Sequence, residues 1–274
     1  MGKPEALFFW LAVYAYTGAF LVQLASLIFK KPSWGPIGWR IALGGFAAHT
    51  AIIASRWIAV GHPPVLMRYE NNLAGTWFVM LMLILVNRWF KSSKILALVV
   101  IPIILIMLGQ GFMARPITEP LTPNFKSWWL WVHVIFAWFA YGSFAVGSGL
   151  GIVYILKGRA KDVKTKVWTL FPELDLLDDI ILRFVSFGFI AQTMMLISGS
   201  IWANSLWGSY WSWDPLETWS LVTWLTYGVI IHFRLTLGWK GNRIAWLVIA
   251  ALLTEIITFY GISLITTIHT PLLQ

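Results

Sequence analysis

Residues 128–156 read WWLWVHVIFAWFAYGSFAVGSGLGIVYIL, without one Asp, Glu, Lys or Arg. A bilayer core about 30 Å thick is crossed by a helix of roughly 20 apolar residues, and Lys157 and Arg159 close the run. The stretch predicts a membrane-crossing helix that ends at a basic surface. The same pattern recurs on both sides of it, at about 7 to 29, 39 to 60, 72 to 90, 95 to 113, 180 to 202, 217 to 238 and 243 to 268. The expected fold is therefore an all-α integral membrane protein, a bundle of about eight transmembrane helices forming one polytopic domain over residues 1–274.

Composition points the same way. Of 274 residues, 59% are hydrophobic and 11% are charged, which leaves little sequence for a soluble domain. The net charge of +9 would suit nucleic acid if it gathered on one surface, but the cations sit in short clusters between apolar runs. Lys30, Lys31, Arg40, Arg88, Lys91, Lys94, Lys157, Arg159, Lys161, Lys164, Lys166, Arg234, Lys240 and Arg243 fall on one side of the predicted topology or at its edge. Positive-inside topology accounts for them and makes that side cytoplasmic, so the expected surroundings are the lipid bilayer, with no nucleic-acid partner. An even number of spans then places both termini extracytoplasmically. In keeping with a retained first span, the apolar stretch from Leu7 to Phe29 is long for a secretory signal, and Lys30 and Lys31 follow rather than precede it. The absence of cysteine means that any thiol chemistry comes from a partner. The longest cytoplasmic connection, 157–179, sets Trp168, Leu170, Phe171, Leu174 and Leu177 beside Glu173, Asp175, Asp178 and Asp179, as an interfacial amphipathic helix would.

On the opposite side the loop at 203–219 contains WGSYWSWDPLETW, residues 207–219. A single tryptophan at a membrane interface is an ordinary anchor. Trp207, Trp211, Trp213 and Trp219 so close together, interleaved with Gly208, Asp214 and Glu217, instead suit a flat apolar ligand with polar edges. The two carboxylates have a second reading. Asp214 followed by Pro215 is a helix start, with Asp at the N-cap and Pro at the first helical position. Glu217 then completes a capping-box-like spacing. Capping and catalysis both stay open for them, and no residue is assigned as catalytic.

The run from Trp207-Gly208 through Trp211, Trp213-Asp214 and Glu217 to Thr218-Trp219-Ser220-Leu221-Val222-Thr223-Trp224 resembles the WWD signature of haem-handling proteins of c-type cytochrome biogenesis. Within that superfamily it is most similar to the CcsA (ResC) family, a subunit of System II cytochrome c synthases. The similarity extends through His232-Phe233-Arg234 and Gly238-Trp239-Lys240-Gly241 to Phe259-Tyr260-Gly261 and His269. More loosely it takes in His49-Thr50, Arg56-Trp57, Gly61-His62, Pro64 and Tyr69-Glu70, while His269-Thr270-Pro271 stands where the family reads His-Ser-Tyr. The resemblance implies transport of haem b across a cytoplasmic or thylakoid membrane and its presentation at the extracytoplasmic face. There it would be joined covalently to the Cys-X-X-Cys-His motif of apocytochrome c, a haem lyase activity. The implied partners are a CcsB (ResB)-type membrane protein, apocytochrome c and thiol-reducing proteins.

Neutral imidazole is a good ligand for haem iron. His133 follows Trp128, Trp129 and Trp131 near the outer end of span five, and His269 ends span eight. Alone, each could be an interfacial histidine with ordinary hydrogen bonds. The resemblance implies that together they are the axial ligands of an external haem. His232 lies about 22 Å inward of Glu217 at about 1.5 Å per residue, too far for the same iron. The resemblance implies that it binds a second, internal haem, with the other ligand from the CcsB-type partner. His49 and Arg56 share a face of span two, and Glu255 sits in span eight. Either these form buried polar networks that tie helices together, or His49 and Arg56 belong to the internal haem site. His62, beside Pro63 and Pro64, reads as a loop residue.

Three other classes compete. A CcmC-like haem transporter or chaperone without ligase activity would share the tryptophan motif. A cytochrome b-type quinol oxidoreductase would need paired histidines on two helices, whereas here each span has at most one. A lipid-linked glycosyltransferase with its own Trp-Trp-Asp signature is disfavoured by Pro215 after Asp214 and by the lack of an outer Asp-X-Asp pair.

Overall fold

The computed structural model describes residues 2–65, 67–89, 96–114, 126–160, 168 and 171–261, without the side chains of Trp89 and Tyr260. Among these, eight α-helices form: α1 (Lys3–Ile28), α2 (Gly35–Val60), α3 (Arg68–Trp89), α4 (Ala97–Met113), α5 (Trp128–Arg159), α6 (Leu174–Trp207), α7 (Pro215–Leu235) and α8 (Asn242–Ile256). Six of the eight segments are long and apolar enough to cross a membrane, so the multi-span expectation holds. The other two are α4, with 17 residues, and α7, with 21. The helices pack as two compact units, α1–α4 and α5–α8.

In the first unit, small residues let helices touch. A Cβ on Gly38 of α2 would come within 2.6 Å of Gln23 on α1, and one on Gly111 of α4 within 2.8 Å of Asn72 on α3. Polar groups then bind the helices together, as they must where no water is at hand. Arg56 Nε donates to Glu70 Oε1 at 3.0 Å with both side chains buried.

In the second unit α5 presents a small-residue stripe to α6 and α8, including Gly142, Ser143, Gly147, Ser148 and Gly151, all buried. Hydrophobic burial gives little drive between helices in lipid, so close van der Waals packing carries the association. Phe144 of α5 stacks on Tyr227 of α7 with ring centroids 3.5 Å apart. The same ring lies over Gly188 of α6, where a Cβ would meet it at 2.5 Å.

Helix α6 starts at Leu174, six residues before the span read from hydropathy, because its acidic first turns have partners. Arg234 Nη2 lies 2.6 Å from Asp178 Oδ2 and 3.2 Å from Asp179 Oδ1, and the Gly241 amide donates to Asp178 Oδ1 at 2.8 Å. Leu174 to Asp179 thus belong to α6, while 161–167 and 169–170 of the expected interfacial segment lie outside the described residues. Helix α8 passes into a π-helical turn at Ile257–Gly261. His269 lies outside the described residues.

A Gly188→Ala variant should lose about 1–3 kcal/mol of stability, the usual cost of overpacking. Gly44→Ala, where a Cβ meets nothing within 4 Å, should gain up to about 1 kcal/mol from helix propensity. Thermal unfolding in detergent compares the two.

Candidate functional site

At one end of the second unit α6 hands the chain to α7 through the tryptophan-rich loop. At 1.5 Å per residue, the 34 residues of α6 reach about 51 Å, well beyond a hydrocarbon core. Part of its length therefore stands clear of the acyl region, and its last two turns carry Trp202 and Trp207.

Gly208 ends α6 in the left-handed conformation (φ 72°), its amide bonded to the Asn204 carbonyl at 2.9 Å. At the other end Asp214 caps α7, with Oδ1 accepting from the Leu216 and Glu217 amides at 2.7 and 3.0 Å. Pro215 supplies the pre-set first helical position. Glu217 reaches back beyond the cap, its Oε2 accepting from the Ser212 amide at 2.7 Å and the Ser212 hydroxyl at 3.1 Å. The spacing resembled a capping box, but the bond goes two residues further upstream than that motif requires. Both carboxylates are thus engaged in shaping the loop. Trp213 is left with φ 59°, a left-handed backbone at a bulky residue, which costs on the order of 1–3 kcal/mol. The flanking cap and the Ser212 bonds hold it there.

Behind the loop lies a cavity of about 130 Å3 whose lining includes His133 of α5, Gly199 and Trp202 of α6, Trp207, Trp211 and Glu217. His133 is fixed by a single bond: Nδ1 lies 2.9 Å from the Met195 carbonyl. A carbonyl can only accept, so Nδ1 carries the proton and Nε2 keeps its lone pair. This is the arrangement in which a histidine serves a metal. Gly199 makes it sterically possible, since a Cβ there would sit 2.6 Å from His133 Nδ1. The imidazole lies at 31° to the Trp202 ring with centroids 6.4 Å apart, and Trp211 meets Trp213 edge to face at 5.7 Å. Trp211 Nε1 is buried with no hydrogen-bond partner.

The structure brings His133, Trp207, Trp211 and Glu217 to one cavity. Gly208, Trp213 and Asp214 set the loop's path, and Trp219 lies one turn into α7, its carbonyl taken by Thr223 and Thr258. Sequence reading passed over Gly199, Trp202 and the Met195 carbonyl. Trp202 marked the expected end of span six and was in view, whereas a backbone carbonyl leaves no sequence signal. The remaining candidates lie elsewhere. His232 is exposed near the far end of α7, with Nδ1 3.2 Å from the Thr236 hydroxyl. His49, in the first unit, is fully buried. Its Nε2 donates to the Leu73 carbonyl at 3.0 Å and its Nδ1 accepts from Tyr16 at 3.3 Å. Arg56 is paired with Glu70. His62 bonds the Pro63 carbonyl at 3.0 Å.

Residues 66–269 match the model of the family described as "Cytochrome C assembly protein". The chain is 32% identical over 260 residues to the cytochrome c biogenesis protein CcsA of Guillardia theta, covering 86% of each. It is also 32% identical over 228 residues to that of Trieres chinensis (71% of this chain, 72% of the relative), and over 237 residues to one from Prochlorococcus marinus (76% and 75%). This chain belongs to the CcsA/ResC-type cytochrome c biogenesis family. The fold extends further: the solved structure of "Cytochrome c Heme Lyase CcmF" superposes with a TM-score of 0.68 at 18% identity, covering 94% of this chain and about half, 47%, of that one.

Membership of the CcsA family carries a role in haem handling and cytochrome c biogenesis, and the chemistry of the cavity lining can be set beside that role. It offers a histidine with a free lone pair, flat indole walls, and in Trp211 Nε1 an unused donor for a polar edge. If Asp214 acts as a cap, Asp214→Asn should keep stability within a few tenths of a kcal/mol and Asp214→Ala should lose about 1 kcal/mol. Equal losses in thermal unfolding would show that the charge itself is needed.

Proposed function

We propose that this protein is the CcsA-type subunit of a cytochrome c synthase, moving haem b across the membrane and presenting it for attachment to the Cys-X-X-Cys-His motif of apocytochrome c. The observation that carries this reading is His133, tautomer-locked by Met195 and facing an indole-walled cavity. In the proposal His133 and His269 hold the external iron. Trp207, Trp211, Trp213 and Trp219 grip the porphyrin, and Gly208, Asp214 and Glu217 keep the loop in shape. When bound, haem supplies the vinyl groups that the substrate thiols join. The chain, lacking cysteine, supplies position rather than a nucleophile. The active face is extracytoplasmic, in a cytoplasmic or thylakoid membrane.

His232, exposed near the far end of α7, is proposed as one ligand of an internal haem, completed by a CcsB/ResB-type partner. Its exposure leaves it accessible to another chain. His49 has both ring nitrogens committed to neighbours and would have to leave Leu73 or Tyr16 to bind iron. We therefore assign His49 and Arg56 to holding the first unit together. Thiol-reducing proteins complete the proposed set of partners by keeping the substrate cysteines reduced.

Purified protein, alone and with its partner, is to be incubated with haem and a reduced Cys-X-X-Cys-His peptide. Wild type should show a bis-histidine haem spectrum that His133→Ala alters strongly. With the partner present, the spectrum should shift as the free vinyl groups disappear. Haem binding without thioether product under either condition would favour the CcmC-like chaperone. Haem content and spectrum unaffected by His133→Ala would remove the external site.

A further inference from the structure

Inward from the cavity, polar side chains follow one another down the otherwise apolar interior of the second unit. Gln192 of α6 donates to the carbonyl of Ser220, which lines the cavity, at 3.1 Å. Next come Thr223 of α7 and Thr258 of the π-helical turn that follows α8, 3.0 Å apart. One turn further along α8 lies Glu255, only 7% exposed. Tyr141 of α5 and Tyr227 of α7 both feel its charge electrostatically. Tyr141 also lines the cavity and packs against Phe259, one turn from Glu255. Ser148 lies beside the Tyr227 hydroxyl but donates its own proton to the Val248 carbonyl.

Four buried polar atoms in this interior have no hydrogen-bond partner: Trp138 Nε1, Gln192 Oε1, Tyr227 Oη and Glu255 Oε2. One such orphan is costly in a membrane interior. Internal water is the usual partner of such groups, and these four, a hydroxyl and a carboxyl among them, lie in one helical unit with Trp211 Nε1 of the cavity wall. No described cation pairs with Glu255, and the titratable groups facing it are Tyr141 from α5 and Tyr227 from α7. The face of α6 offers only neutral Gln192, and His133 and Glu217 lie further out on the cavity wall.

We propose that Glu255 is a buried proton site, reached by water from the cavity through the Tyr141 hydroxyl, that takes up a proton when iron held at His133 is reduced. For each electron that would reach iron held at His133, the Glu255 carboxylate would gain one proton from water, so the unit's net charge would be unchanged. A dithiol donor closing to its disulfide supplies the electrons for two such irons and releases two protons. Tyr141 lies about 12 Å inward of His133, the rise along α5, and the carboxylate beyond it stabilises the ferric form without touching the metal. Its protonated form favours the ferrous state, the one in which vinyl groups can be kept for attachment. The coupling rests on the proposed haem-presenting function, whereas the wetted carboxyl does not.

Infrared spectroscopy of the haem-free protein reads the site by itself. A protonated carboxyl band should be present, should shift within minutes of transfer to D2O, and should be lost in Glu255→Gln. Tyr141→Phe should slow the exchange at least tenfold. A band that survives Glu255→Gln, or that fails to exchange, would overturn the proton site whatever haem does. With haem loaded, the ratio of reduced to oxidised iron at a fixed electrode potential should fall by up to tenfold for each unit that pH rises across the carboxyl's titration. In Glu255→Gln that dependence should flatten and the iron should stay more reduced at high pH. An unchanged pH dependence in Glu255→Gln would overturn the coupling. Failure of wild type to bind haem at all would instead sink the proposed function and take the coupling with it, leaving the infrared result to decide the proton site.

Discussion

The second unit depends on how closely α5 can approach its neighbours, and small residues set that distance. Gly188 accepts the Phe144 ring, Gly151 brings α5 to within contact of the α8 backbone, and Gly199 lets the His133 imidazole lie directly on α6. Lipid supplies no hydrophobic drive for such contacts, so their dispersion energy and the few polar bonds they permit hold the helices together. The His133 bond is one of these. The Met195 carbonyl accepts from the Ser198 hydroxyl as well, at 3.2 Å, and no side chain at 199 shields it from the imidazole. One backbone contact thereby ties α5 to α6 and fixes the tautomer of His133.

The same economy governs the tryptophan loop. Its acidic residues sit where developing negative charge could play a catalytic part, yet their oxygens are directed at backbone amides. Held at both ends by Gly208 and Asp214, the loop has little freedom, and this stiffness is what can maintain a left-handed Trp213. A flat ligand binds more tightly to walls already in place than to walls it must order. In the proposed haem site, the loop's carboxylates would contribute to recognition in this way, by lowering the ordering cost of the indoles.

Much of this was legible from residue order. Hydropathy gave the helical spans, and Asp214-Pro215 gave the start of α7, because a cap is a local interaction between neighbours in sequence. The clustering of tryptophans marked the loop that walls the cavity for the same reason. What stayed hidden was tertiary. Asp178 and Asp179 read as loop until Arg234, over fifty positions away, pairs with both, the first buried and the second exposed. Gly199 is one glycine among 22, and only the packed imidazole sets it apart. The backbone angle of Trp213 has no sequence signature, since left-handed geometry is normally the sign of glycine or asparagine.

The histidines show why residue type underdetermines role. His49 and His133 are both set in helices among aromatic neighbours, and from sequence either could bind iron. Their hydrogen bonds separate them. His49 spends one nitrogen as donor to Leu73 and the other as acceptor from Tyr16, which satisfies a buried imidazole and leaves nothing for a ligand. His133 spends only its donor and turns the remaining lone pair toward a space lined by indoles. A buried polar group that is fully paired stabilises a fold, and one that is half paired costs stability unless something arrives to complete it. The unused lone pair at His133 and the unused donor at Trp211 Nε1 lie on the same cavity, and this supports the ligand role proposed for His133, whereas His49 is a polar brace between helices.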